Sequence, residues 1–261
     1  MADLSKLDPK KFVQTIFDKS LTAQRPLALK YVARLRRVHP NMSPSELVGV
    51  VNAWYLTTVT ATGAASGASA FVPNAVVQIP VAVGDLATFL EASIFYTLTV
   101  AEIHGLHPED LERRRLLVMV VLLGDSALTS TTKGLLGRTV PFWGKQIVDK
   151  IPMTTINAIN KVLGPRFITK YGTKQGVLVL GKQIPLGIGI VVGAGGNHTF
   201  GWLTIRAAKK FLGAVPATWE HMGSPGGLPT DFEAERATLD ADDDIIDAEV
   251  VGDEPEGASA I

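Results

Sequence analysis

No cysteine occurs among the 261 residues of the chain. That absence removes disulfide frameworks, thiolate metal sites and cysteine nucleophiles together. Aromatic residues are scarce, at 7%, and charged residues make up only 19%. The apolar share of 46% is therefore carried mainly by Ala, Val, Leu and Ile. A mean hydropathy of +0.23 suits a chain with a large core and falls short of a protein with many membrane spans. The opening MADLSKLDPKKF lacks the apolar run of a secretory signal, so a cytoplasmic chain is expected. G-x-S-x-G is missing too, as is any nucleophile–base pair at recognisable spacing. No motif calls for a cofactor.

What the chain does have is a split charge. From Asp231 to the end stand twelve Asp/Glu against one Arg, a balance of −11. The remainder holds 24 Lys/Arg and 13 Asp/Glu, a balance of +11. A basic body suits anionic membranes or nucleic acid, and the plainer reading is that the tail offsets the body and aids solubility. The acidic end, from about 222 to 261, has too few apolar residues to offset chain entropy and is expected to be disordered. Its island IIDAEVV is short enough to be either a recognition motif for a protein partner or a solvated end.

Helical signals dominate the body. Residues 8–38 carry apolar positions among Lys and Arg, and His39 stands before Pro40, which disfavours further helix. SPSEL follows, with Ser43 as N-cap, Pro44 at the first helical position and Glu46 three residues on, a capping box. That helix is expected to run to Gly63. From Gly63 to Ile103 only Asp85, Glu91 and Glu102 are charged, with Pro73 and Pro80 as interruptions. HGLHPEDLERRR reads as a helix–helix connection, with Gly105 as C′, Pro108 in a first turn, and Glu109 and Asp110 at the positive helix end. Residues 133–183 read as shorter helices. GVLVLGKQIP has strand composition but no second strand to pair with. The fold class expected is all-α.

The stretch IPLGIGIVVGAGGNHTFGWLTIRAAKKFLG, from Ile184 to Gly213, has six glycines in its first eighteen residues and no charge for twenty-two. Its G-x-G-x-x-x-G-x-G-G spacing fits neither a dinucleotide fingerprint nor a phosphate loop, and no βαβ unit surrounds it. At helical spacing Gly189, Gly193 and Gly201 share a face, as do Gly63 and Gly67 in ATGAASGASAF. Small residues at this spacing let helices approach closely. The two stripes are expected to pack together, antiparallel. As a helix, Ile184–Ile205 would reach about 33 Å, so a buried core helix and a membrane-inserted one both stay open. Arg206, Lys209 and Lys210 close the run on a cationic edge suited either to phospholipid headgroups or to the negative end of the helix itself.

The blocks RRVHPNMSPSELV, ATGAASGASAF, AEIHGLHPEDLERRRLLVMVVL and the closing glycine-rich stretch stand in an order that resembles the EcsC family. These are bacterial proteins named after the third gene of an operon that also encodes an ABC transporter. The resemblance spans roughly 26–213 and divides the chain into an N-terminal extension (1–25), an EcsC-like helical domain (26–221) and an acidic tail (222–261). It carries no catalytic signature, and it implies a helical protein linked to transport or envelope processes.

Residues able to carry chemistry are few. His104, His107, Glu109 and Asp110 form the one His/carboxylate cluster, but Gly105 and Pro108 put the histidines across a chain break, so a structural turn is favoured over a metal site. Asp85 and Glu91 lie in the longest apolar run, where a carboxylate needs a partner or a task. Asp85 is read as the cap of a helix beginning LATFLEAS, which would place Glu91 on its surface. His198 is read as a hydrogen-bonded core histidine. The expectation is a non-enzymatic helical protein that associates with membranes or apolar ligands and not with nucleic acid. An enzyme using Asp85, Glu91 or His198 on a lipid-like substrate, and a pore-former inserting its glycine-rich helices, are the alternatives.

Overall fold

The computed structural model describes the backbone of residues 8–68, 75–127, 144, 145, 147, 150–181 and 188–222, and the side chains of 8, 10–66, 84–127, 144, 145, 147, 150–171 and 195–220. Six α-helices and no strand occur among the described residues, which makes the fold all-α. Two units are distinguished, Met1–Thr218 and Trp219–Ile261. The second is described only at its first turn, a short 3-10 segment over Trp219–Met222. The structure of the acidic tail lies outside the described residues.

Helix α1 (Pro9–Val38) starts where the sequence places it. Asp8 is the N-cap, its Oδ1 accepting the Lys10 N–H at 2.9 Å, and Pro9 occupies a position where a missing N–H costs nothing. Val13, Phe17, Leu21, Ala28, Val32 and Leu35 recur at helical spacing and are buried. The boundary expected at 25/26 thus falls inside one continuous core helix, and the segment before it is no separate extension.

Helix α2 (Pro44–Ala68) begins with the expected capping box. Glu46 Oε2 accepts the Ser43 N–H at 2.8 Å, while Ser43 Oγ accepts the Glu46 N–H at 3.3 Å. Helix α3 (Ala75–Ile103) runs through Pro80 and Gly84 without a break. It closes in a Schellman turn: Gly105 has φ +71°, Leu106 N–H reaches Ala101 O at 2.9 Å, and Gly105 N–H reaches Glu102 O at 2.9 Å. Helix α4 (Leu111–Leu123) starts three residues beyond Pro108, so that proline lies in the loop rather than the first turn. A 3-10 turn over Gly124–Ala127 follows. Helix α5 (Met153–Gly181) is a single element of 29 residues, where shorter helices were expected, and takes in Pro165 and the GVLVLG part of the Val-rich segment, whose remainder lies outside the described residues. Helix α6 (Ile188–Leu212) holds most of the glycine-rich stretch.

Helix α3 touches all five others and forms the centre. Its segment Gly84–Ile103 is long and apolar enough to cross a membrane, but 72% of it is buried inside the fold. Of its buried hydroxyls, those of Ser93, Tyr96 and Thr97 are hydrogen-bonded, while that of Thr99 has no partner. Ser93 Oγ donates to Phe89 O at 2.6 Å, so Tyr55 Oη must be the donor in its 2.7 Å bond to Ser93. Tyr96 donates to Asn52 Oδ1 at 2.7 Å and stacks on Tyr55 with centroids 4.3 Å apart. Burial pushes the Tyr55 hydroxyl up to about 12, which keeps it a neutral donor. On the other flank, Lys170 and Tyr171 of α5 both donate to Leu122 O at 2.8 Å, occupying a carbonyl that the C-terminus of α4 would leave bare.

The most extensive helix pair is α2 with α6. His198 Nδ1 lies 3.2 Å from Thr60 Oγ1, while Gly201 faces Leu56 and Val59, so the two run antiparallel as expected. A Cβ built on Gly201 would stand 2.8 Å from Val59 Cγ2 and 3.1 Å from Leu56 Cδ1. Gly63 is buried on α2. The side-chain surroundings of Gly67, Gly189 and Gly193 lie outside the described residues. Gly195, exposed on the same helix, would meet nothing within 4 Å. Gly201→Ala should therefore destabilise by about 1–3 kcal/mol through overpacking against the stiff Val59, whereas Gly195→Ala should stabilise by about 0.5–1 kcal/mol through helix propensity. Paired denaturant titrations check this, and equal effects at the two glycines would refute the close seam.

Candidate functional site

The outer surface of α6 gathers residues that the sequence offers in two separate contexts. At 100° per residue, His198, Lys209, Trp202, Arg206, Lys210 and Leu203 share an arc of about 140°. All six are exposed, Trp202 at 48% and Leu203 at 45%. The opposite arc is buried: Asn197, Gly201, Thr204, Ala207, Ala208 and Phe211. The helix is amphipathic in an unusual sense, with small and polar residues inward and a large indole outward. Small inward residues are what close approach to α2 requires.

The cations on this face are held in different ways. The Arg206 guanidinium sits over the Trp202 ring, 5.6 Å from its centroid, one helical turn away. Lys210 Nζ contacts Asp125 Oδ1, contributed by the 3-10 turn after α4. That ammonium, with Arg206 adding to it, holds the Asp125 carboxyl below the usual carboxylate range. Lys209 is exposed beside them. Sequence reasoning picks out the three cations but misses Trp202, Leu203 and Asp125. The 3.6-residue period that joins Trp202 to Arg206 and Lys209 was the available signal for the first; nothing local marks the last.

The proposed catalytic residues do not converge. Asp85 is ten residues inside α3, where no backbone N–H is orphaned, so it caps nothing. It is instead buried and accepts a hydrogen bond from Asn197 Nδ2 of α6 at 2.9 Å. Glu91 is exposed, six residues on and roughly 120° from Asp85 in the far direction around the helix. His198 is exposed at the α2–α6 seam, not in the core, because the small-residue stripe that turns inward is Asn197 and Gly201. It does make a hydrogen bond, with Thr60, but at the surface and not in the core.

The His/carboxylate cluster resolves into a structural junction. His104 Nδ1 lies 2.7 Å from Val100 O, and His107 Nδ1 lies 2.7 Å from Glu102 Oε2, so the rings have separate partners. Glu109 and Asp110 are exposed, and Asp110 Oδ2 takes the Arg113 Nε–H at 3.1 Å. Buried Arg114 ties the junction together. It donates to Leu21 O of α1 at 2.9 Å, Glu109 O at 3.0 Å and Pro108 O at 3.4 Å, and burial lowers its guanidinium to about 10, still charged at neutral pH. Arg25, Glu102, His107 and Arg114 line a cavity of about 20 Å³, room for a single water and not for an organic substrate.

This junction makes stability depend on pH. The Glu102 carboxylate raises the His107 pKa above its ordinary value, against a smaller effect of burial. A raised histidine contributes stability that is fully present below the unfolded value of about 6.5 and fades as pH rises through the folded one. His104, lowered by burial, works in the opposite direction. The stability difference between the wild-type chain and Glu102→Gln should thus be largest near pH 6 and shrink toward pH 9. Urea titrations across that range measure it, and a difference that grows with pH would contradict the assignment.

No family model, no curated protein and no solved structure matches the chain.

Proposed function

We propose that this protein is a non-enzymatic, peripheral membrane protein that docks on anionic lipid, at the cytoplasmic side, through the outer face of α6. One observation carries the reading: Trp202 and Leu203 are exposed on the same helical face as Arg206, Lys209 and Lys210. An indole and a leucine suit the boundary between headgroups and acyl chains, and flanking cations suit the phosphates. The +11 balance of the chain before Asp231 supports the same preference. The EcsC-like order of blocks is consistent with a role at the cell envelope. Docking leaves the apolar α3 in the core, so no helix has to leave the fold. The enzyme reading lacks support in the separation of Asp85, Glu91 and His198.

Co-sedimentation with phosphatidylglycerol-containing and phosphatidylcholine vesicles across a salt series tests this. The chain should bind the anionic vesicles reversibly, less as salt rises, and the neutral ones hardly at all. R206Q/K209Q/K210Q should weaken binding by roughly a hundredfold at low salt, given about 1 kcal/mol per surface charge. Trp202→Ala should weaken it by a factor that persists at high salt. Deleting residues 231–261 should tighten it, since this removes eleven units of net negative charge. Equal binding of the triple variant would sink the reading, and binding that resists both salt and carbonate would replace docking by insertion.

A further inference from the structure

Among the described residues an acid, Asp125, meets the cations of the docking face, where it is out of place on a surface meant for phosphates. Asp125 stands in the turn after α4, 85 residues from Lys210 in sequence, and its carboxylate contacts the Lys210 ammonium with Arg206 close enough to act on it. The pair is exposed, at 77% for Asp125 and 53% for Lys210, so it contributes little to stability. A contact that weak is readily exchanged. When Lys210 turns to a lipid phosphate, Asp125 is left as an unpaired negative charge at an anionic surface, and the repulsion opposes docking.

From this geometry we infer that Asp125 is a specificity-determining residue of the α6 face, restricting docking to membranes dense in anionic lipid. The inference rests on the reading of α6 as a lipid-docking face and adds what regulates it. On a sparsely charged bilayer the exchange of Asp125 for a phosphate gains almost nothing, and Lys210 stays with its protein partner. On a densely charged one, several phosphates compete for Lys210, Arg206 and Lys209 at once, and the local repulsion is outweighed. The carboxylate thereby converts a general attraction into a threshold.

The experiment measures binding of the full chain and three variants to vesicles of rising phosphatidylglycerol content at low salt. Asp125→Asn removes the charge and should bind about fivefold more tightly at intermediate content, the equivalent of about 1 kcal/mol for one surface charge, with its half-binding point moved to lower content. Asp125→Glu keeps the charge and should keep the wild-type threshold. Glu91→Gln changes the net charge by the same amount on an exposed position of α3 and should behave as wild type. Indistinguishable curves for Asp125→Asn and wild type overturn the inference alone, and so does equal tightening by Glu91→Gln, which would mean that only total charge matters. Failure of every variant to bind any anionic vesicle overturns the docking reading and this inference with it, a result distinct from equal affinities.

Discussion

The close approach of α6 to α2 at Gly201 is the constraint on which the rest depends. No side chain fits there, since Val59 and Leu56 already occupy the space a Cβ would need. The rotation of α6 about its own axis is thereby set. Asn197, Thr204 and Ala208 follow Gly201 inward by helical geometry, and Trp202, Arg206 and Lys209 must follow one another outward. Trp202 follows Gly201 by about 100° around the helix and is thereby turned outward, where it is 48% exposed. Asn197 reinforces that rotation by hydrogen bonding to Asp85 on α3, so α6 is held by packing on one helix and by a buried polar contact on another.

A chain this apolar invites a membrane-spanning reading, and the packing of α3 gives its hydropathy a different use. Five helices contact it, and its Ser93, Tyr96 and Thr97 are hydrogen-bonded within the protein. Removing α3 from that environment would expose buried apolar surface and break these contacts together. The proposed peripheral docking needs none of this, because Trp202, Leu203 and the three cations already lie on the outside of α6. The polar groups at the other end of α3 are likewise used for structure: Arg114 binds carbonyls of α1 and of the α3–α4 loop, and His107 is hydrogen-bonded to Glu102.

Where an element is decided by residues near it in sequence, it was legible. The Asp8–Pro9 start, the Ser43/Glu46 capping box and the Gly105 turn all involve hydrogen bonds within five residues, and all are present. Features decided by distant contacts were not. Pro165 and the GVLVLG part of the Val-rich segment that follows it sit inside α5, where local propensity argues for a break. Asp85 looks like a cap because glycine precedes it, but its partner is Asn197, 112 residues away. The small-residue stripe correctly pointed to the α2–α6 pairing, yet it drew attention to the inward face, and the functional candidates lie on the opposite one. His198 was misplaced for the same reason, being adjacent in sequence to a buried residue and therefore turned away from it. Asp125 could not have been joined to Lys210 from the sequence at all.

The central claim, that the seam at Gly201 turns Trp202 toward the lipid, is tested most directly by fluorescence quenching. In a variant with Trp54, Trp143 and Trp219 replaced by Phe, Trp202 is the sole remaining indole of the four in the chain. Bound to anionic vesicles carrying bromine at graded depths along the acyl chain, it should be quenched most by the shallowest bromines and progressively less by deeper ones. A Trp202 that stays unquenched while the protein is vesicle-bound would show that α6 faces away from the membrane, and the account would fail.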